Sequence, residues 1–494
     1  MIAYFFSHDK QIPRSLRQNS RQWKQLAAVV VAQGVMAFHL NFSRSCSLSS
    51  DDIEATARRT GFVKRASKIT GKLFLALVTF GSWSDAQTTL AQLAAKVTQV
   101  VEHVEVSPEA IHQRMNKRAL VFLQDIIRQA LAKVQALDKV CADGLFTAFT
   151  KVYLADSTGF GLPDSLSDLF PGSGGSATKA GAKIQAVWDY KSSVFGHFAL
   201  TPWNIPDQKY VDTVVALAQQ GVLFIFDLGY FKLKAFARIV EAGAYFLSRL
   251  NHQTTIFDAD TGGLQLLELA AFLNTVESNR TEKAIFLGAK ERVASRLVAY
   301  RLPEPIVNAR RRIAKKNAKK KGYTPSQAHL ALLAWNLFIT NVPRTIWKTE
   351  TVGKVYPIRW QVELIFKSWK SYLHLASIKT KKAAPTLCYL YGRMLLILLN
   401  YALCPQLRHT LWLKKKRELS LLKLVRHFQA LADRWMQAIF QSELALRRFL
   451  TRACATAERL AAKASRKRRT TAQILRASLG QQHESVEFAA VVNA

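Results

Sequence analysis

Two short apolar segments, each ending in an aspartate, constrain the fold of this chain more than any other feature. Residues 152–155 lead into Asp156, and residues 222–226 lead into Asp227. Such short apolar runs between turn-forming residues are typical of buried strands and are too short for helices. Polar groups at the carboxyl ends of neighbouring strands meet at one edge of an α/β sheet, so we predict that the two carboxylates lie together. The alternative is that each aspartate only ends a strand and begins a turn.

The residues that follow the first segment predict a break and then a pair of strands. Gly159, Gly161 and Pro163 come soon after Asp156 and are expected to end its strand. Residues 183–190 and 194–200 are rich in apolar and β-branched residues and predict two paired strands.

Helices and strands alternate in the next part of the chain. The apolar spacing predicts helices over residues 210–219 and 232–242, with strands at 222–226 and 245–250. Paired strands followed by alternating strands and helices are typical of a mixed sheet covered by helices. We therefore predict an α/β fold.

Residues 252–350 interrupt this alternation. Strand-like runs at 284–287, 296–301 and 331–340 lie on either side of a strongly basic helix at 310–321. This pattern predicts a mainly β insertion, followed by one long helix over residues 355–373.

Both ends of the chain have helical patterns. Apolar residues recur at three- and four-residue spacing in 23–40 and 119–134, and residues 380–475 are helical and basic. The basic, turn-containing stretches 51–65 and 90–118 could each form a helix-turn-helix that reads DNA. A plain helical bundle is the open alternative.

The charge of the chain favours a polyanionic partner. It has 70 Lys and Arg against 34 Asp and Glu, a net charge of +36, and neutralising phosphates releases their condensed counterions. An anionic membrane would also fit, but the most apolar stretch, 387–403, is interrupted by Arg393 and Asn400 and predicts a buried helix. Nucleic acid is therefore the favoured partner.

Targeting and cysteine patterns indicate an intracellular protein. The apolar residues 1–6 lack the basic start and cleavage site of a secretory signal. The five cysteines are odd in number and contain no Cys-x-x-Cys pair, which argues against disulfides and zinc and favours reduced core thiols. They are Cys46, Cys141, Cys388, Cys404 and Cys454.

A third carboxylate lies on the long helix predicted over residues 355–373. Tyr356 is followed at offsets of 3, 7 and 14 by Arg359, Glu363 and Lys370, which return to one face of an α-helix. A charged stripe on a helix that is otherwise apolar must face a cleft or be paired internally. An ordinary solvated face with ion pairs four residues apart is the alternative.

Neighbouring carboxylates imply a cation. Asp156 and Asp227 would repel each other, and one would hold a proton, unless a divalent ion neutralised them. Mg²⁺ prefers oxygen ligands and suits this site.

The spacing Tyr-x2-Arg-x3-Glu-x6-Lys resembles the YREK signature of the insertion-sequence-four family of bacterial DDE transposases. Three other blocks resemble the same family. The segments beginning at Asp156 (Asp-Ser-Thr) and Asp227 (Asp-Leu-Gly-Tyr) are similar to its two aspartate blocks, and residues 339–342 are similar to the block that precedes the YREK box. Together these matches cover residues 150–375.

The resemblance implies an RNase H-like fold and a cut-and-paste DNA transposase. In that family Asp156, Asp227 and Glu363 would hold two Mg²⁺ ions, which Mn²⁺ can replace, for DNA cleavage and strand transfer through a hairpin intermediate. Tyr356 and the basic residues of the YREK box would contact phosphates near the cleaved end. Those basic residues are Arg359 and Lys370.

The resemblance also assigns a role to Trp335. A tryptophan of the inserted domain, on the strand before the YREK box, receives a flipped base in relatives, and Trp335 stands at the corresponding place. A tryptophan buried in a strand is the alternative.

The partners implied are double-stranded DNA with terminal inverted repeats, a target DNA and a second copy of the chain in the synaptic complex, with no membrane. The location implied is the bacterial cytoplasm, at the nucleoid. Two other functions stay open: a DNA-binding regulator that keeps the fold without the activity, and a structure-specific RNase H-like nuclease without strand transfer.

These inferences divide the chain into five predicted regions. They are a helical DNA-binding region (1–145), the first part of the catalytic core (146–251), the β-rich insertion (252–350), the second part of the core with the glutamate helix (351–378), and a helical basic region that could serve dimerisation (379–494).

Overall fold

A nine-stranded mixed sheet lies among helices in the computed structural model, which describes residues 48–136, 144–174, 178–378, 380–415 and 417–464. The order across the sheet is β3-β2-β1-β4-β5-β9-β8-β7-β6. The strands are β1 (Val152–Leu162), β2 (Ala180–Asp189), β3 (Phe195–Pro202), β4 (Leu223–Phe226), β5 (Tyr245–Arg249), β6 (Ile256–Asp258), β7 (Arg280–Leu287), β8 (Val293–Arg301) and β9 (Trp335–Thr340).

The first five strands have the predicted RNase H-like arrangement. Strands β1, β2 and β3 pair antiparallel, while β4 and β5 add to the other side of β1 in parallel. Strand β9 then pairs antiparallel with β5, and β8, β7 and β6 extend the same sheet outward. The strands of residues 252–350 are therefore continuous with the sheet that carries Asp156 and Asp227, and the predicted fold class is confirmed.

Helices precede, cover and follow this sheet. Several begin at the capping residues that the sequence provides, as α1 does at Ser49 and α4 at Ser107. The helices are α1 (Ser50–Arg59), α2 (Gly71–Ala76), α3 (Leu90–Val100), α4 (Pro108–Arg114), α5 (Lys117–Gln135), α6 (Asp207–Val215), α7 (Leu233–Glu241), α8 (Leu269–Asn274), α9 (Glu304–Lys320), α10 (Gln327–Leu332), α11 (Thr349–Val355), α12 (Trp360–Tyr372), α13 (Ala383–Ala402), α14 (Cys404–Lys415), α15 (Leu421–Gln429), α16 (Ala432–Gln441) and α17 (Glu443–Leu460).

Some predictions for the chain ends fall outside the described residues. These are the helix at 23–40 and the apolar residues 1–6. Helix α5 confirms the helix predicted at 119–134. The helix-turn-helix and the plain bundle both stay open for residues 51–65 and 90–118.

Strand β1 is longer than predicted. It does not end at Asp156 but continues through Gly159 and Gly161 to Leu162. Both glycines allow close packing, because a Cβ at Gly159 would lie 2.9 Å from Trp203 Cε2 and a Cβ at Gly161 would lie 3.2 Å from Thr178 Cγ2. The prediction that these glycines break the strand was therefore wrong.

The predicted helix over 355–373 is divided into three pieces. Helix α11 ends at Val355, residues Tyr356–Arg359 form a 3-10 turn, and α12 begins at Trp360. Pro357 has no N–H to donate to the preceding turn, which explains the break. Tyr356 and Arg359 still share a face, because residues three apart are eclipsed in a 3-10 turn.

The strand predicted at 331–340 is also shorter. Residues 327–332 form α10, whose N-cap Ser326 accepts a hydrogen bond from the His329 N–H, and β9 begins only at Trp335. Helices α8, α9 and α10 thus lie between the added strands. The five-region division itself stays a prediction.

The apolar stretch at 387–403 is part of a core helix. Helix α13 packs so closely on residues 77–81 that a Cβ at Gly392 would lie 2.0 Å from the Val78 carbonyl oxygen. Arg393 Nη2 donates to Ser82 O at 3.0 Å, and Asn400 Nδ2 donates to Leu396 O at 2.8 Å. Among the described residues, one helical stretch is long and apolar enough to span a membrane. It runs from Ala383 to Trp412, through α13 and most of α14, and 89% of its most apolar 18-residue segment is buried within the protein.

Three cysteines lie among the described residues. Cys388, Cys404 and Cys454 are free and buried, and burial raises the pKa of each thiol to about 12. They are the reduced core thiols that the sequence predicted, while Cys46 and Cys141 lie outside the described residues.

Candidate active site

The sheet register brings the two predicted aspartates side by side. Strand β1 pairs in parallel with β4 so that Leu154 lies opposite Ile225. Asp156 and Asp227 each follow two residues later, on strands about 4.8 Å apart. The prediction that the two carboxylates meet at one edge of the sheet is thus consistent with the register, although β1 continues past the site.

Helix α12 brings the third carboxylate to the same place. Its buried face packs Trp369 against the rings of Phe195 and Phe198 on β3, with centroids 5.9 and 5.8 Å away. Glu363, in the first turn of α12, then faces the same cleft as Asp156 on β1 and Asp227 at the end of β4.

A single guanidinium lies among the three carboxylates. Arg359 Nη2 is 2.7 Å from Glu363 Oε1, Nη1 is 3.5 Å from Asp156 Oδ2, and Nε is 3.9 Å from Asp227 Oδ1. The Arg359 side chain is only 14% exposed. The Arg359–Glu363 pair is the ion pair four residues apart that the helix spacing left open, whereas the contacts of Arg359 with Asp156 and Asp227 were not predicted.

One positive charge facing three carboxyl groups leaves the cluster short of cations. Burial raises the pKa of Asp156 to about 7, although the Ser157 N–H and Arg359 act in the opposite direction. Burial also opposes the charge on Arg359, but Asp227 and Glu363 outweigh it and raise the pKa of the guanidinium. The cluster is therefore stabilised either when Asp156 keeps its proton or when a further cation binds near the carboxylates.

The donor set fits a divalent cation, although the present arrangement is not a finished metal site. In the part of the chain that the structure describes, no three His, Cys, Asp or Glu side chains are close enough together to hold an ion. The three carboxylates instead surround Arg359. All three are hard oxygen donors with excess negative charge, which is the chemistry that Mg²⁺ and Mn²⁺ prefer.

The carboxylates open into a cleft of about 500 Å³. Lys367 and Lys370 stand exposed along one side, as expected for side chains that meet a phosphate. Lys370 was predicted, whereas Lys367 was missed although it follows Glu363 by one helical turn. The cleft is lined by Asp156, Ser157, Thr158, Asp227, Arg359, Glu363, Phe366, Lys367, Lys370 and Ser371.

Tyr356 supports the site from below. Its hydroxyl donates to the Phe226 carbonyl at 3.3 Å, and its ring packs on Phe338 with centroids 4.9 Å apart. Burial raises the pKa of Tyr356 to about 12. Tyr356 thus holds the strand end that precedes Asp227, and it does not line the cleft.

Trp335 is not among the residues that line the cleft. It lies at the start of β9, is 6% exposed, and has the guanidinium of Arg301 over its ring at 4.7 Å. Arg310 on α9 donates to the Trp335 carbonyl at 3.4 Å and to Asn336 Oδ1 at 2.8 Å.

A polar network that sequence reasoning missed lies behind the aspartates. Asp207 accepts hydrogen bonds from Ser157 Oγ at 2.8 Å, from Lys183 Nζ at 3.2 Å and from Gln185 Nε2 at 3.2 Å. Tyr230 in turn donates to Gln185 Oε1 at 2.9 Å. Because Ser157 adjoins Asp156 and Tyr230 closely follows Asp227, the network ties both aspartate segments together. The Pro-Asp pair at the start of α6 was the available signal.

The part of the chain that carries this site matches a known protein family. The sequence profile of the family described as "Transposase DDE domain" matches residues 147–399, just over half of the 494-residue chain. The chain belongs to the DDE-domain transposase family. The match includes all three carboxylates, both aspartate strands and α12.

Bacterial relatives of this transposase align over most of its length. The transposase for insertion sequence element IS231B of Bacillus thuringiensis subsp. berliner is 29% identical over 424 residues, which are 82% of this chain and 88% of that protein. The transposase for insertion sequence element IS1151 of Clostridium perfringens is 27% identical over 456 residues, 88% of this chain and 95% of that protein.

A solved structure titled as the piggyBac transposase synaptic complex with hairpin DNA also aligns with this transposase. The alignment covers 85% of each chain at 11% identity, with a TM-score of 0.43. The predicted resemblance to bacterial insertion-sequence DDE transposases is confirmed at the level of the family by the profile and the bacterial relatives. The YREK signature and the individual residue roles stay predictions.

We predict a pH-dependent stability difference that comes from Asp156. Because its folded-state pKa, about 7, exceeds the ordinary 3.8, its contribution to stability is present below pH 3.8 and is lost as the pH rises through about 7. Asp156→Asn removes this loss. Without divalent ions, its melting temperature should match the wild type near pH 4 and exceed it by a few degrees, roughly 2–4 °C for each kcal/mol, near pH 8.

Differential scanning calorimetry in EDTA tests this expectation. Asp164→Asn changes an exposed aspartate and should show the same pH profile as the wild type. Equal melting temperatures of Asp156→Asn and wild type at both pH values would contradict the expected contribution.

Proposed function

We propose that this protein catalyses cut-and-paste transposition of an insertion sequence, by cleaving DNA at the element's ends and joining the freed 3′ ends to a target. The observation that carries the proposal is the meeting of Asp156, Asp227 and Glu363 around Arg359 in an open, lysine-lined cleft. Family membership supports the same reaction class.

Asp156, Asp227 and Glu363 would hold two Mg²⁺ ions, for which Mn²⁺ can substitute. Such ions activate an attacking water or 3′-hydroxyl and stabilise the leaving oxygen of an in-line phosphoryl transfer. The chain's own part is positioning and charge. Lys367 and Lys370 would hold phosphates near the cleaved bond.

Arg359 has two roles in this proposal. In the free protein it neutralises part of the carboxylate cluster, at 2.7–3.9 Å from each group. When DNA is bound, the guanidinium would contact a phosphate in place of the carboxylates, which would then be available to hold the metal ions. Tyr356 fixes the strand end from which Asp227 projects.

A hairpin intermediate and base flipping at Trp335 belong to the same proposal. Trp335 lies at the start of β9, close to Arg310 on α9. A flipped base could stack on its ring in the place that Arg301 now covers. The partners proposed are double-stranded DNA with terminal inverted repeats, a target DNA and a second copy of the chain, in the bacterial cytoplasm at the nucleoid.

We predict that Asp156→Ala, Asp227→Ala and Glu363→Ala each reduce cleavage of end DNA by about 1000-fold or more, because each removes a carboxylate that the proposed ions need. Binding to the same DNA should persist in a gel-shift assay. Glu241→Ala, an exposed carboxylate on α7, is the matched control and should cleave normally. A regulator without activity would show no cleavage even in the wild type, and a simple nuclease would cleave without strand transfer.

We predict that Arg359→Ala tightens Mn²⁺ binding by the DNA-free protein about five- to tenfold. The substitution removes the cation that competes for the three carboxylates, and tenfold corresponds to about 1.4 kcal/mol. Isothermal titration calorimetry with Mn²⁺ measures this directly. Lys370→Ala removes an exposed charge from the same cleft and should change the affinity less than about twofold, since solvent screens it. Weaker Mn²⁺ binding by Arg359→Ala would mean that Arg359 assembles the site and does not compete for it.

We predict that Trp335→Ala leaves the first nick nearly intact and slows hairpin formation roughly five- to hundredfold, the effect of losing about 1–3 kcal/mol of base stacking. An abasic site at the flipped position should partly restore the rate, because no base then has to leave the stack. A time course of nicked, hairpin and fully cut products on a denaturing gel gives all three rates. If nicking and hairpin formation slow equally, without abasic rescue, Trp335 is only a packing residue.

A further inference from the structure

Helix α9 has an outward face made almost entirely of cations. The exposed basic side chains recur at three- and four-residue spacing, so they share one side of the helix. None of them forms an ion pair within the residues that the structure describes. They are Arg312, Lys315, Lys316, Lys319 and Lys320.

This concentration of charge has an energetic cost in the free protein. Like charges four residues apart, such as Lys315 and Lys319, destabilise a helix by a few tenths of a kcal/mol per pair. An anion that lies along the face removes this repulsion. The face extends about 10 Å from Arg312 to Lys319, a length over which duplex DNA presents about six phosphates.

The opposite side of α9 is held by hydrogen bonds to β9 and α10, so the basic face points away from them. Val307 and Ala318 are buried. Arg310 Nη2 donates to Asn336 Oδ1 at 2.8 Å, and Arg311 Nε donates to the Leu330 carbonyl at 3.1 Å. The basic residues on this side therefore anchor the helix, while those on the outward face remain available.

A line of cations connects this helix to the carboxylate cleft. Arg249, at the end of β5, lies over the ring of Tyr356 at 5.9 Å, close to the turn that carries Arg359. Arg249 pairs with Phe338 on β9, two residues from Asn336, whose side chain accepts the hydrogen bond from Arg310. From the cleft to α9 the order is Arg359, Arg249 and Arg310.

We propose that the outward face of α9 binds the sugar-phosphate backbone of the DNA duplex that extends away from the cleaved phosphate. The inference rests on the proposed function, because it assumes that the duplex end lies in the carboxylate cleft. DNA is favoured over an anionic membrane, since membrane-binding helices carry an apolar face and the exposed large apolar residue on α9 is Ile313 alone.

The test compares two double variants of the full-length protein. Lys315→Gln with Lys319→Gln neutralises two charges of the outward face. Lys290→Gln with Lys348→Gln is the matched control. Both control lysines are exposed and lie away from α9. Lys290 is on the turn before β8, whereas α9 follows the other end of β8. Lys348 follows Trp347, whose carbonyl accepts a hydrogen bond from Arg296 on β8.

Binding of a mixed-sequence duplex of about 30 base pairs is measured in EDTA by fluorescence anisotropy, between roughly 50 and 200 mM salt. The slope of log affinity against log salt should fall by about 1.8 in the α9 variant, about 0.9 for each lost phosphate contact. It should be unchanged in the control pair. Lys315→Arg with Lys319→Arg keeps both charges and should keep the wild-type slope.

An α9 variant with the wild-type slope overturns the inference, and so does one that loses binding to phosphatidylserine vesicles while its DNA binding is unchanged. Cleavage of end DNA in Mg²⁺ by the same preparations separates this result from the proposed function. If the wild type cuts DNA but the slopes are equal, only the role of α9 fails. If no preparation cuts DNA, the proposed function fails, and the salt slopes still decide whether α9 binds DNA.

Discussion

The balance of charge around Arg359 is the interaction on which the rest of the site depends. Three carboxyl groups that point to one place would drive each other apart in a partly buried cleft unless a cation lay between them. Arg359 provides one positive charge from the 3-10 turn Tyr356–Arg359, within 2.7–3.9 Å of all three. Arg359 therefore brings the three carboxylates near one another without an ion. Among the described residues they are still not close enough together to hold an ion, and the cluster keeps an excess of negative charge. In the proposed function, this excess of negative charge is what would attract the divalent ions.

The parallel contact of β1 and β4 sets the geometry of that cluster, and local sequence was enough to predict it. Each aspartate follows an apolar run, and only strands fit runs of that length. The local sequence did not predict the part of β1 beyond Asp156, because a glycine such as Gly159 is typical of a turn. What keeps it in the strand is the ring of Trp203, which lies more than forty residues away in the sequence and can be recognised only in the folded chain.

The helix after the insertion shows the same division between local and non-local information. Periodicity identified Arg359 and Glu363 as members of one face, and they do lie together. Periodicity left open whether that face meets a cleft or forms ion pairs. The family resemblance implied phosphate contacts for Arg359, whereas its partners in the structure are the three carboxylates. The apolar sequence around Trp335 predicted a strand, and Trp335 does begin β9. Its burial beneath Arg301 depends on the neighbouring strand β8, which the local sequence does not identify. Asp207 was missed because its partners come from two other elements, Ser157 from β1 and both Lys183 and Gln185 from β2.

The close approach of α13 to residues 77–81 has a practical consequence for dissecting the protein. The sequence pattern changes near residues 145 and 378. One continuous apolar core nevertheless includes residues from Ile53 to Ala462, and strands of the sheet contribute to it. Gly392 lies against the Val78 backbone, so helices from before and after the sheet pack directly on each other. A fragment limited to residues 146–378 would lose the flanking helices. The sheet face and the face of α12 that pack on those helices would then be exposed to water. Recombinant work on the nuclease should therefore retain both flanks, because the excised middle would be expected to aggregate.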